Sequence, residues 1–324
     1  MLYGCPLLDY FQEGGTGMNI VAAEQLSKWY GEVIGLNQFT VNIGEGITGI
    51  VGPNGAGKTT LMRIMTGMIR QGKGHIEVLG EQPWNNTVLN AKIGYCPEHE
   101  VLYPWMSGKE FLVTMARMQG CTKNESERRA YASLKIVGLG KEVIDRKIRS
   151  YSKGMRQKVK VAQAIIYEPE LLILDEPLAG TDPVGRKILI DLIKELAKQG
   201  IHSIVSSHVL YEIERLTNQV VLISAGQILA TGDFHEIRKL IDKHPHAVNI
   251  TTPDARKLGI ALMELENVVA ATVMDDQRLM VKTRAPDSFY DQLPGIIVDG
   301  GYEVREMFSP DNNLQAVFRY LVKR

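Results

Sequence analysis

Gly52-Pro53-Asn54-Gly55-Ala56-Gly57-Lys58-Thr59-Thr60 fits the pattern G-x-x-x-x-G-K-[ST], and its reading decides the fold. Before it stands a short β-branched run, Ile47-Thr48-Gly49-Ile50-Val51, the pattern of a buried strand. After it, Leu61-Met62-Arg63-Ile64-Met65 begins a helical pattern. Strand, glycine-rich loop and helix are the context this motif needs. Glycines let the backbone wrap closely around phosphates and turn N–H groups inward. A helix opening at Lys58 aims its positive end at the same anion. Lys58 has the reach for the outer phosphates of a nucleoside triphosphate, and the Thr59 hydroxyl suits Mg²⁺.

A second stretch completes the chemistry. Leu171-Leu172-Ile173-Leu174-Asp175-Glu176-Pro177 is an apolar run ending in two carboxylates. Such runs form strands covered on both faces of a parallel sheet. The strand delivers Asp175 to the carboxyl edge, where ligands bind in α/β folds. Asp175 is then placed to hold Mg²⁺, and Glu176 to polarise an attacking water as a general base. Either stretch alone has a bland alternative, a chance glycine turn or a strand ending in a polar turn. Together they make it a poor choice.

Composition narrows the class. The chain has 324 residues, 44% hydrophobic and 23% charged, which is ordinary globular usage and allows two domains. Formal net charge is zero, so binding to nucleic acid has no electrostatic support. Cys5, Cys96 and Cys121 stand in no metal or redox spacing and read as reduced thiols. There is no apolar run of membrane-spanning length, and residues 1–18 lack the basic start of a secretory signal. They read as a flexible leader, with Met18 an alternative start.

Strand patterns dominate from Ile20 to Gly80: 20–23, 26–30, 36–43 and 75–80, with Gly72-Lys73-Gly74 as a turn. Another strand ends at Pro97. From about 99 to 150 the pattern is helical, with Ser107 and Glu110 forming a capping box. The α/β pattern resumes at Leu171, with a helix from Arg186 to Gln199, strands at 203–206 and 220–223, and a hairpin arm from Gly226. Lys243-His244-Pro245-His246 reads as a linker. Beyond it the order is βαββαβ, with the fourth strand starting at Tyr302, and then a helix at 313–321, suggesting a ferredoxin-like unit.

Other stretches complete a resemblance. Tyr151-Ser152-Lys153-Gly154-Met155, Gly180-Thr181-Asp182-Pro183 and His208 after Val205-Ser206-Ser207 follow in the order found in ATP-binding cassettes. Residues 20–240 resemble the nucleotide-binding subunit of an ABC transporter, in the ABC-2-type exporter branch. Ser152 and Gly154 match the usual signature LSGGQ, while its first, third and fifth positions depart; Thr181 departs in the D-loop. The implied fold is α/β: a P-loop NTPase cassette of RecA-like core, antiparallel β subdomain and helical subdomain, over residues 19–240. A smaller α+β ferredoxin-like accessory or regulatory domain covers 247–324.

The resemblance also implies roles. Lys58, Glu176 and His208 are expected to be catalytic. Residues Gly52 to Thr60 are expected to hold ATP, with Tyr30 stacked on adenine and Trp29 as its rival. Ser152, Gly154 and Asp182 are expected to act on nucleotide across a head-to-tail dimer with a second copy of the chain. Thr59, Asp175 and Glu98 are expected at Mg²⁺, Glu98 standing where the family usually has Gln. A separate membrane permease is implied, contacted through Val101 to Met106, with the chain peripheral on the cytoplasmic membrane face and powering export. The alternative is a cassette ATPase acting on another macromolecule; the single cassette, the lack of sustained heptads and the neutral charge weigh against it.

Overall fold

The computed structural model describes residues 19–99, 102–234, 236, 237 and 245–309. The expected leader and the helix expected at 313–321 lie outside them. The chain divides into two units between Phe234 and His235.

In the first unit, β1 (Val21–Tyr30), β2 (Val33–Ile43) and β4 (Lys73–Val78) form an antiparallel sheet in the order β2-β1-β4. The sequence pattern splits β1 at Glu24-Gln25. The structure instead carries one strand through a bulge: the register shifts between Ala23 and Leu26, and Gln25 takes φ +46°. The expected turn at Gly72-Lys73-Gly74 is likewise the start of β4. Gly74 takes φ +82° against Gln25 O, where an added Cβ would come within 2.4 Å.

The main sheet runs β5 (Ile93–Cys96), β6 (Leu171–Leu174), β7 (His202–Ser207), β3 (Ile47–Val51), β8 (Gln219–Ser224), β9 (Gln227–Asp233). Neighbours are parallel up to β8, and β9 returns antiparallel as the hairpin arm. Every residue of β6 is buried, as its unbroken apolar run requires. Helix α1 (Lys58–Met65) buries Leu61, Met62, Ile64 and Met65 in one core with Phe39, Ile76 and Ile50. That core fixes the glycine loop between the two sheets. Each of these side chains contributes about 1.5–3 kcal/mol by leaving water.

Between β5 and β6 lies a helical block. Short α2 (Thr87–Lys92) precedes β5, and α3 (Gly108–Met118), α4 (Lys123–Ile136) and α5 (Lys141–Ile144) follow it. The Ser107–Glu110 capping box is formed from both sides, at 3.1 and 2.7 Å. Helix α6 (Lys153–Ile165) then crosses back onto the sheet. Its C-terminal end meets β5 with no side chain between: a Cβ on Gly94 would lie 2.1 Å from Ala164 O. Helix α7 (Pro183–Lys198) starts at the Asp182 cap with Pro at its first turn, and α8 (Leu210–Glu214) packs under β3.

The second unit holds β10 (His246–Thr251), α9 (Ala255–Met263), β11 (Val268–Asp275), β12 (Arg278–Thr283), α10 (Pro286–Asp299) and β13 (Glu306–Phe308). The sheet order is β11-β12-β10-β13 with every pair antiparallel, the ferredoxin-like arrangement. Val248, Ile250, Leu258, Leu262, Leu279 and Phe289 form its core. Two expectations need correction. His246, taken as linker, opens β10. β13 starts at Glu306 rather than Tyr302, because Tyr302 N–H is still bonded to Ile297 O at the end of α10. Among the described residues, no helix is long and apolar enough to cross a membrane.

Candidate functional site

β6, β7 and β3 are neighbours in the parallel sheet, so their carboxyl ends lie side by side. Asp175-Glu176 follows β6, Ser206-Ser207-His208 ends β7, and the glycine loop follows β3. Residues far apart in the chain meet there because of strand order alone.

The loop is held by its own backbone and by glycine. Gly52 is tight against Ile223 O, where a Cβ would come within 2.4 Å. Gly57 takes φ +107° and faces Gly35 O, where a Cβ would come within 2.5 Å. Pro53, Asn54 and Gly55 are exposed, Ala56 is buried, and Gly57, Thr59 and Thr60 are half-buried. Gly57 caps α1 without a side-chain bond, so the leading N–H groups of that helix remain for an anion. Lys58 is buried. Its Nζ donates to Gly52 O at 2.7 Å and Pro53 O at 3.3 Å, and lies 3.4 Å from Glu176 Oε1.

The carboxylates have distinct surroundings. Asp175 is fully buried. Its Oδ2 accepts from Thr59 Oγ1 at 2.7 Å and its Oδ1 from Ser206 Oγ at 2.6 Å. The same Ser206 hydroxyl accepts from Glu176 N–H at 2.9 Å. Hydroxyl and carboxylate oxygen side by side are hard donors of the kind Mg²⁺ takes. Glu176 sits at φ +50°, a left-handed backbone that costs a side-chain-bearing residue about 1–3 kcal/mol and is found at sites where geometry is over-determined. Its Oε2 accepts from His208 Nδ1 at 2.9 Å. Oε1 has no hydrogen-bond partner among the described residues, Lys58 being an ion-pair neighbour rather than a donor. Burial pushes the Glu176 carboxyl above its usual range; Lys58 and His208 pull downward and do not prevail.

His208 is half exposed, with Glu176 on its Nδ1 side. Next to it, Ser207 Oγ donates to Glu212 Oε2 at 2.8 Å and accepts from Val209 N–H at 3.0 Å. Glu212 Oε1 in turn lies 3.4 Å from Arg186 Nε in the first turns of α7.

The other expected residues lie around this centre. Tyr30 and Thr60 both flank Gly35, a Cβ on which would meet Tyr30 Cε2 at 3.0 Å and Thr60 Cγ2 at 3.2 Å. Trp29 points elsewhere, over Gly72, with Lys73 Nζ 5.8 Å from its ring. Tyr30, not Trp29, is therefore beside the loop. Ser152 caps α6 by accepting from Met155 N–H at 3.2 Å. Gly154 packs beside Gly180 and Thr181, and Asp182 caps α7. No bond among the described residues joins Ser152, Gly154, Asp182 or the Glu98 side chain to Lys58, Asp175 or Glu176 of the same chain. Sequence reading missed Ser206, Gln157, Lys160 and Glu212. Each acts on a group brought near by the fold; only Ser206 carried a signal, as a hydroxyl at a strand end in line with Asp175.

Residues 36–179 match the family model described as ABC transporter. An uncharacterized ABC transporter ATP-binding protein of Synechocystis is 35% identical over 228 residues, 68% of this chain and 64% of that protein, just under two thirds of its length. The bacitracin transport ATP-binding protein BcrA of Bacillus licheniformis is 31% identical over 306 residues, 94% of this chain and 97% of that protein. Among solved structures, an ATP-binding subunit of an ABC transporter matches with a TM-score of 0.62 at 28% identity, over 68% of this chain and 93% of that one. The dimeric post-hydrolysis structure of an ATP-binding cassette bound to ADP and Pi matches with a TM-score of 0.62 at 20% identity, over 66% of this chain and 98% of that one, a likeness of fold.

Proposed function

The chain belongs to the family of ABC transporter ATP-binding proteins, and on that premise we propose that it binds and hydrolyses ATP to power export through a separate membrane permease. The observation that carries this reading is the meeting of Lys58, Thr59, Asp175, Glu176 and His208 at the carboxyl ends of three adjacent strands.

The glycine loop from Gly52 to Thr60 and the uncapped start of α1 take the phosphates, and Tyr30 stacks on the base. Thr59 and Asp175 would hold Mg²⁺, and Glu98, two residues past the Cys96 carbonyl that accepts from Asp175 N–H, would be a further oxygen ligand. The metal, when bound, neutralises phosphate charge. Lys58 pairs with the outer phosphates. Glu176 Oε1, the carboxylate oxygen without a hydrogen-bond partner, takes the proton of the attacking water. Its raised pKa makes it a stronger base than an ordinary carboxylate. His208 holds Oε2 and so fixes the direction in which Oε1 points.

Ser152, Gly154 and Asp182 serve the site of a second copy in a head-to-tail dimer. That no bond among the described residues joins them to the same chain's Lys58 or Glu176 supports that arrangement, as does the dimer seen for the cassette of like fold. The chain then works on the cytoplasmic membrane face, with its helical block against the permease. Exposed Tyr103 and Trp105, in tilted ring contact at 5.3 Å between centroids, are part of that surface.

Phosphate release from MgATP tests the core of the reading. Glu176→Gln should lower the rate by about 10²–10⁴-fold while ATP stays bound. Lys58→Ala should lose ATP binding. Equal rates in wild type and Glu176→Gln would remove Glu176 from the mechanism. Tyr103→Ala and Trp105→Ala should leave ATP binding intact and uncouple hydrolysis from the co-purified permease.

A further inference from the structure

Two side chains on one face of α6 reach out to the two loops that carry acidic groups. Gln157 Nε2 donates to Glu176 O at 3.3 Å and lies 3.8 Å from Cys96 Sγ. One turn on, Lys160 Nζ donates to Pro97 O and to Glu98 O, each at 2.8 Å. Lys160 is 2% exposed. Lysine is almost never buried to that degree unless its donors are used, because desolvating the ammonium is expensive. Here the ammonium donates to two carbonyls of one short segment. That segment carries Glu98 and leads toward exposed Tyr103 and Trp105. The other end of the same helix is the Ser152 cap, with Gly154 in its first turn. A helix is stiff along its length, so a displacement of its Ser152 end carries Lys160 with it.

We propose that Lys160 is a positioning residue that ties the Glu98 segment to α6, so that a nucleotide engaging Ser152 and Gly154 shifts Glu98 and the Tyr103–Trp105 surface with the helix. The ligand that drives the shift is the triphosphate held by a second copy of the chain. This inference rests on the dimer reading above. Lys160 touches no phosphate and does no chemistry. Its role is to make the loop follow the helix. Without the ammonium, two carbonyls lose their donor and the loop follows α6 less closely.

Trp105 is an internal reporter, 68% exposed and on the segment in question. The test uses the full chain carrying Glu176→Gln, Trp29→Phe and Trp84→Phe, which leaves Trp105 as the one tryptophan. MgATP is titrated while Trp105 emission, bound ATP and dimer formation by light scattering are recorded. The parent should change emission as it dimerises. Lys160→Met should bind ATP within about twofold of the parent and dimerise, yet show an emission change at least about fivefold smaller. Lys160→Arg, which keeps donors for both carbonyls, should restore the response. A full response in Lys160→Met overturns the inference, as does a parent that dimerises with no change at Trp105. If Lys160→Met lacks a cooperative unfolding transition, Lys160→Arg decides: a folded, ATP-binding variant without the response overturns it. A parent that binds no MgATP sinks the ATP reading itself, a separate outcome.

Discussion

Ser206 Oγ donates to Asp175 Oδ1 at 2.6 Å while accepting from the N–H of Glu176. One buried hydroxyl thus sets the direction of the β6 carboxylate and supports the turn that follows it. Ser206→Ala leaves both groups without that partner in a dry environment, a loss of about 1–3 kcal/mol. Urea unfolding should register it as a lower midpoint with unchanged slope. ATP hydrolysis should fall further than ATP binding, because Glu176 loses its backbone anchor.

Glu176 has a carboxyl held above its usual range by burial. The native state therefore binds its proton more tightly than the unfolded state does. The native carboxyl becomes charged at the expense of stability as pH rises from 4.5, the ordinary value, through the raised native one. That destabilisation is fully present once pH exceeds the raised native value. Glu176→Gln should accordingly raise the melting temperature at pH 7–8, and the gain should shrink as pH falls toward 4.5. A gain that grows on acidification would reverse the assigned sign.

Glu212 joins the His208 loop to α7 through Ser207 and Arg186. Glu212→Gln keeps an oxygen for the Ser207 hydroxyl and removes the charge facing Arg186. Glu212→Ala removes both. Phosphate release should fall modestly in the first and about tenfold or more in the second, the loss expected when a buried partner disappears. Arg186→Ala should resemble the amide variant. Equal rates for the amide and alanine variants would mean the Ser207 bond does not matter.

Tyr30 and Trp29 separate cleanly. Tyr30→Ala should weaken ATP binding by about two- to tenfold, the range for one aromatic stacking contact. Trp29→Ala, on the Gly72 side of the strand, should leave ATP affinity unchanged. Fluorescent-nucleotide titration distinguishes them.

The site centre was legible where its chemistry is local. Gly52 to Thr60 and Leu171 to Glu176 each carry strand, turn and functional group in one short stretch. His208 was legible through its place after a strand. The bulge in β1 was not, because alternation broken at Gln25 looks the same as two strands, and the pairing with Gly74 that absorbs it is distant in sequence. Ser206, Glu212 and Lys160 were also hidden. A serine in an apolar strand, a glutamate on a short helix and a lysine between two valines mean nothing until strand order supplies their partners. Tyr302 fits a strand by composition, yet stays bonded to the end of α10.

Helix α6 and strand β5 meet backbone to backbone at Gly94 and Ala164, so a tilt of α6 would turn about that contact. Ser152 lies twelve residues away along the helix, an arm of about 18 Å at about 1.5 Å per residue. Lys160 lies about 6 Å from the pivot on the same scale. A tilt of about 10° would carry the Ser152 tip about 3 Å and Lys160 about 1 Å. Such a tilt would reach the Glu98 segment, through Lys160, as about a third of the travel at the Ser152 tip and, for the same work, about three times the force.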